Sequence, residues 1–109
     1  MNDCVFCKIR DRIISKEFVY EDDDLMVFPD INPLKPVHLL IIPKKHIEDF
    51  MDIKEDDLWI KIRKIAQELI KKQGLENNGY RLAINGGGAQ VVGHLHIHLL
   101  GPLSKTAQM

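Results

Sequence analysis

The chain has 109 residues, 15 Lys+Arg against 16 Asp+Glu, a formal net charge of -1 and 45% apolar residues. That is the size of one domain with one core, and it is too apolar for a disordered chain. No like-charge run is longer than the acidic Glu21-Asp22-Asp23-Asp24, so there is no basic stripe for a nucleic acid polymer and no polybasic membrane patch. Apolar runs such as Leu39 to Ile42 fall far short of the about 18 residues a membrane span needs. Met1-Asn2-Asp3-Cys4 carries neither a charged n-region nor an apolar h-region, so the expectation is a cytoplasmic protein with residues 1–109 as a single domain.

In chain order, Phe6, Ile9 and Ile13 or Ile14 share one face of a short helix over Val5 to Arg10. Extended segments follow at Phe18 to Tyr20, at Leu25 to Phe28 after an acidic turn, and at Leu39 to Ile42 ahead of Pro43. After Phe50, Asp52 and Glu55 make a capping-box start, and Leu58, Ile62, Ile65, Ala66 and Leu69 keep i, i+3 and i+4 spacing. Lys71 and Lys72 suit the negative end of that helix, and Gly74 supplies its stop. Two more strands are expected at Tyr80 to Ile84 and His94 to Leu100. This order predicts an α+β fold, a mostly antiparallel sheet of about five strands with the long helix packed on one face. A core this small gains from dimerisation.

Three of the five histidines form His94-Leu-His96-Ile-His98. On a strand, alternate side chains share a face, so this spacing puts the imidazoles on one side and Leu95, Ile97 and Leu99 on the other. An ordinary half-buried strand would carry Thr, Lys or Glu on its polar face. A solvated face, a metal site and a reactive imidazole for group transfer are the three readings of that pattern. Just upstream, Asn85-Gly86-Gly87-Gly88-Ala89-Gln90 is either a plain hairpin turn or a loop whose amides cradle an anion. Beside imidazoles a phosphate suits it better, because no Ser or Cys nucleophile stands nearby for acyl chemistry. There is no Walker lysine and no Gly-x-Gly-x-x-Gly pattern.

Cys4-Val-Phe-Cys7 allows a disulfide, a redox pair, half of a metal site or two ordinary buried thiols. A cytosolic setting disfavours the disulfide, and the motif does not follow a strand as a thioredoxin-like pair would. Tetrahedral zinc needs two further ligands, which single histidines can supply. His38 reads as a hydrogen-bonded histidine at a strand start, Trp59 as core or interface, and Lys44 and Lys45 as solvated.

The triad strand, together with Ile41-Ile42-Pro43-Lys44-Lys45-His46-Ile47 and Phe28-Pro29-Asp30-Ile31-Asn32-Pro33, resembles the histidine-triad (HIT) superfamily, and within it the Hint branch of nucleotide-binding hydrolases. The resemblance runs from Cys4 to Gly101. It implies a HIT-like fold whose sheet continues across a homodimer. It also implies hydrolysis at the α-phosphorus of purine nucleoside phosphoramidates or related nucleotides, with a nucleotide-binding regulatory module as the other class. The implied nucleophile is His96, with His98 donating to a phosphate oxygen and the His94 carbonyl orienting the His96 ring. Asn85, Ala89, Gln90 and Val91 would flank the phosphate, Asp30 would accept from the ribose, and Val5, Phe6, Ile9, Phe28 and Ile31 would wall the base. Some Hint-branch proteins bind structural zinc through positions corresponding to Cys4, Cys7, His46 and His94. Two departures stand out. Val91 replaces the hydroxyl usual at that place, and the tail Gly101 to Met109 lacks the aromatic residue that some relatives use.

Overall fold

The computed structural model describes residues 3–105; the end of the tail, 106–109, and Met1-Asn2 lie outside the described residues. Helix α1 spans Val5–Arg10, and strands β1 (Tyr20–Glu21), β2 (Leu25–Pro29) and β3 (Val37–Pro43) follow. A 3-10 turn at Phe50–Asp52 leads into α2 (Asp56–Lys72), and β4 (Arg81–Ile84) and β5 (Ile97–Gly101) complete the chain. The five strands form one sheet in the order β1-β2-β3-β5-β4, and every pairing is antiparallel. The expected α+β architecture is therefore the one observed.

Register explains the two faces. Phe28 pairs with Leu40, Leu40 with His98 and His98 with Ala83, so these side chains lie in one row on one face. Val27, Ile41, Ile97 and Ile84 form the neighbouring row, which points the other way toward α2. That second face buries Leu25, Val27, Leu39, Ile41, Ile97 and Leu99 against Ile62, Ile65, Ala66, Leu69 and Ile70 of α2. The first face buries Phe28, Leu40, Met26 and Ile42 beneath Phe6 and Ile9 of α1. Each fully buried side chain of this size is worth about 1.5–3 kcal/mol, so α2, amphipathic but strongly charged outside, is held by the sheet more than by its own propensity.

Gly74, at φ 71, ends α2 with paired bonds from Gly74 N–H to the Lys71 carbonyl and Leu75 N–H to the Ile70 carbonyl. This double closure is the stop expected of a left-handed glycine. Three expectations need correction. The capping box belongs to the 3-10 turn, where Asp49 and Asp52 cap each other's backbone; Glu55, the residue before α2, makes no side-chain cap. The intervening turn moves the residue before α2 from Asp52 to Glu55, three positions on. The first strand begins at Tyr20 rather than Phe18, although Val19 N–H still reaches the Val27 carbonyl. The last strand begins at Ile97, three residues later than the alternation of His94 to Leu100 implies. Among the described residues no helix is long and apolar enough to cross a membrane.

Candidate functional site: two imidazole clusters joined at His94

The late start of β5 separates the histidines. His94 N–H bonds to the Val92 carbonyl and Leu95 N–H to the Ile47 carbonyl at 2.6 Å, so the chain here is held by local turns and by the β3–α2 connection instead of a ladder. His96 and His98 stay together, with ring centroids 5.0 Å apart. The His94 ring turns away, and its partner is His46 at 4.8 Å. The expectation of three imidazoles on one strand face is thus corrected: two share it, and the third belongs to a different group.

That group is a tetrad. One donor atom from each of Cys4, Cys7, His46 and His94 lies within 4.8 Å of all the others. His94 Nδ1 is 3.3 Å from Cys4 Sγ, 3.6 Å from Cys7 Sγ and 3.1 Å from His46 Nδ1, and Cys7 Sγ is 3.2 Å from His46 Nδ1. A zinc tetrahedron with bonds of about 2.0–2.3 Å has ligand-to-ligand edges of about 3.3–3.8 Å, and these four separations lie within or just below that range, so the donor set is close enough to share a metal ion. His94 Nε2 donates to the Pro43 carbonyl at 2.7 Å, which leaves Nδ1 as a lone pair aimed at the thiols. Burial pushes the His94 imidazole down to about 4, so it is neutral and available as a ligand. Burial also raises the Cys4 thiol, and thiolate formation there depends on a cation.

The second group is His96, His98, His38 and Asp30. His96 Nδ1 lies 2.8 Å from the His94 carbonyl. A carbonyl only accepts, so Nδ1 carries the proton and Nε2 presents its lone pair. A parallel deduction sets His98. Leu34 N–H donates to His38 Nδ1 at 3.1 Å, which places the His38 proton on Nε2. That proton faces His98 Nδ1 at 2.9 Å and Asp30 Oδ2 at 3.4 Å. His98 Nδ1 therefore accepts and its Nε2 keeps a hydrogen. His98 Nε2 is buried and has no partner among the described residues. Burial, then the neighbouring His96 and His38, hold the His98 pKa below its ordinary value, so the ring is a neutral donor. One group offers a lone pair beside another offering an N–H, a pairing suited to a phosphorus centre and one of its oxygens.

Phe6 packs edge-on against His96 at 5.2 Å and Phe28 at 5.9 Å, and Ile9 joins the same buried cluster. Val5 is partly exposed beside them, and Ile31 stands 80% exposed. Asp30 uses Oδ1 to accept Asn32 N–H at 2.8 Å, leaving Oδ2 toward the imidazoles. Asn85 and Ala89 are exposed, and Val91 is 95% exposed. Three amides of the glycine loop find acceptors within the chain. Gly87 N–H donates to Asp49 Oδ1 at 2.6 Å, Gly88 N–H to Gln90 Oε1 at 3.0 Å and Ala89 N–H to the Gly86 carbonyl at 3.2 Å. Gln90 Nε2 donates to the Glu48 carbonyl. Three amides of the expected anion cradle and the Gln90 side chain are thus engaged within the chain. Lys44 and Lys45 pair with Glu21 and Glu55.

His38 is the hydrogen-bonded histidine at a strand start that the sequence suggests, but its contact with His98 was not foreseen, and Asp49 was not singled out. His38 interrupts the otherwise apolar run Val37 to Ile42, and a polar residue inside a strand buried on both faces must find a partner. That signal was available. Asp49 had none, because its role is defined by a loop 38 residues away.

A family model described as "Scavenger mRNA decapping enzyme C-term binding" matches residues 3–109. An "Uncharacterized HIT-like protein" of Chlamydia trachomatis is 48% identical over 101 residues, covering 89% of this chain and 90% of its own. The chain belongs to the histidine-triad superfamily. The HIT family hydrolase from Legionella pneumophila Philadelphia 1 superposes with a TM-score of 0.88 at 45% identity, covering 96% of this chain and 97% of that one. The histidine triad nucleotide-binding protein from Candida albicans gives 0.82 at 32% identity, covering 98% and 85%.

Proposed function

We propose that this HIT protein is a nucleotide hydrolase of the Hint type, acting at the α-phosphorus of purine nucleoside phosphoramidates or related nucleotides. The observation that carries the reading is His98 Nε2, a buried N–H with no partner among the described residues, beside a neighbouring imidazole whose proton is held on Nδ1 by the His94 carbonyl. An unsatisfied buried donor costs about 1–3 kcal/mol, and a phosphate oxygen would recover it. The hydrolase and the nucleotide-binding protein among the relatives support the same class of chemistry.

His96 Nε2 attacks phosphorus, the Nε2–P bond forms, and the bond to the leaving amine breaks as that nitrogen takes up a proton from solvent. His98 Nε2–H donates to a non-bridging oxygen as charge gathers on it. Water then cleaves the nucleotidyl-histidine, releasing nucleoside monophosphate and restoring the His96 lone pair. Phe6, Ile9 and Phe28, with Val5 and Ile31, wall the base, and Asp30 Oδ2 takes the ribose hydroxyl. Asn85, Ala89, Gln90 and Val91 line the approach to the phosphate. The tetrad Cys4, Cys7, His46 and His94 holds a structural zinc ion, since four protein ligands leave no position for water or substrate. Two copies join through the open edge of β4, where Leu82, Trp59 and Phe50 leave apolar surface exposed.

Intact mass after mixing with an adenosine phosphoramidate tests the reaction. A transient adenylated species and release of adenosine monophosphate are expected. His96→Ala abolishes both while keeping monophosphate affinity within about tenfold, because a nucleophile acts in the transition state. Monophosphate binding without adduct or turnover in the wild type overturns the enzyme reading in favour of a binding module.

A further inference from the structure

Resting on the metal fit and on the proposed role of His96, we infer that the Cys4/Cys7/His46/His94 tetrad sets the orientation and tautomer of the His96 imidazole, so that metal occupancy controls the nucleophile as well as stability. Three structural links meet at that ring, and each begins at a tetrad ligand.

The first link is His94 itself. Its side-chain Nδ1 faces the two thiols, while its backbone carbonyl, 2.8 Å from His96 Nδ1, decides which nitrogen of the nucleophile carries the proton. The second runs through His46. The peptide unit whose carbonyl holds His96 is also the one whose N–H, on Leu95, donates to the Ile47 carbonyl at 2.6 Å, and Ile47 directly follows His46. One peptide plane is therefore held at its carbonyl by the His96 ring and at its N–H by the residue next to a ligand. The third runs through α1. Phe6 lies between Cys4 and Cys7 and packs edge-on against both His94 at 5.7 Å and His96 at 5.2 Å.

Among the described residues no strand ladder holds that plane. The β5 ladder starts at Ile97, so His94, Leu95 and His96 have no strand pairing to fix them. A metal ion at the tetrad draws α1, the segment after β3 and the segment before β5 to one point, and all three bear on His96. His94 and His46 are positioning residues in this scheme. Misplacing a reacting group by about 1 Å can cost on the order of a hundredfold in rate.

The test uses full-length protein labelled with 15N-histidine, in zinc-loaded, cadmium-loaded and chelator-stripped forms and as His46→Gln, the His96 signals being identified by their loss in His96→Ala. Long-range proton–nitrogen spectra report which ring nitrogen is protonated. In the zinc form a single Nδ1–H tautomer is expected at His96. In the stripped form and in His46→Gln the two nitrogens move toward a common averaged position, while backbone signals of Ile62 and Leu69 in α2 stay in place. Cadmium, with longer bonds, shifts the His96 signals in the folded protein, which keeps the test decisive if the stripped form unfolds. Adenylation of His96 falls about a hundredfold on stripping. A His96 spectrum unchanged between zinc and cadmium, and unchanged on stripping where the fold persists, overturns the inference. If the zinc form never adenylates yet His96 responds to the metal, the hydrolase reading falls and the coupling stands.

Discussion

At the scale of single residues, this site works by deciding which nitrogen of each imidazole holds a hydrogen. Backbone groups make that decision, since a carbonyl can only accept and an amide can only donate. The His94 carbonyl determines the His96 ring, and the Leu34 amide determines His38 and, through it, His98. A pH dependence follows from burial of His98, whose folded pKa is depressed below its ordinary value. Above about pH 6.5 the ring is neutral in both folded and unfolded chains and contributes no difference. As pH falls below that, the unfolded chain binds the proton first, so stability declines until the folded pKa is reached. Urea denaturation at pH 7 and pH 5.5 should show that loss, and His98→Gln should flatten part of it. An identical pH slope in the variant would show that His98 does not titrate in this way.

At the scale of elements, the connection from β3 to α2 is more than a linker. Asp49 caps the 3-10 turn through Met51 N–H at 2.8 Å and takes Gly87 N–H with its other oxygen, tying this connection to the glycine loop. The amides of Gly87 and Met51 hold the Asp49 carboxyl below the usual carboxylate range, so it stays ionised in the folded protein. Asp49→Ala removes a cap and a loop anchor together. A cap is worth about 1 kcal/mol, so Tm should fall by roughly 4–8 °C, and amide exchange at Gly87 and Gly88 should accelerate. Unaltered exchange at those two glycines would show that the loop is held without Asp49.

At the scale of the whole molecule, two expectations concern assembly and metal. The sheet ends in a four-residue edge at β4, with Leu82 exposed on the strand and the Phe50–Trp59 pair, 5.5 Å apart, on the elements beside it. Sedimentation at micromolar concentration is expected to give a dimer, and a monomer at that concentration would count against pairing through this edge. Metal analysis is expected to find about one zinc per chain. Cys7→Ser, which alters a buried ligand, should lose the metal and lower the melting temperature, because metal binding to the folded chain adds directly to its stability. Zinc-replete expression that yields a stoichiometry near zero would leave the cysteines as packed thiols.

Periodicity sufficed for much of this. The 3.6-residue pattern of Leu58 to Leu69 placed α2, the left-handed stop at Gly74 ended it, and the alternation of Leu95, Ile97 and Leu99 identified the side chains that meet it. These features are local, since each depends on residues within one or two turns or one strand. The motif residues Cys4, Cys7, His46 and His94 were also legible as a group, although only through resemblance. Tertiary structure carries out the division of the histidines, which the resemblance implied and alternation along the strand does not predict. Where a strand begins depends on whether a neighbour offers ladder partners, and β3 pairs with β5 only from Ile97 onward. His94 is thereby released to face the cysteines, and its carbonyl is left to hold His96. The role of His38 and the occupation of the glycine-loop amides by Asp49 and Gln90 have the same origin. Hydrogen bonds between residues tens of positions apart are set by how the sheet and its connections pack, which no periodicity along the chain encodes.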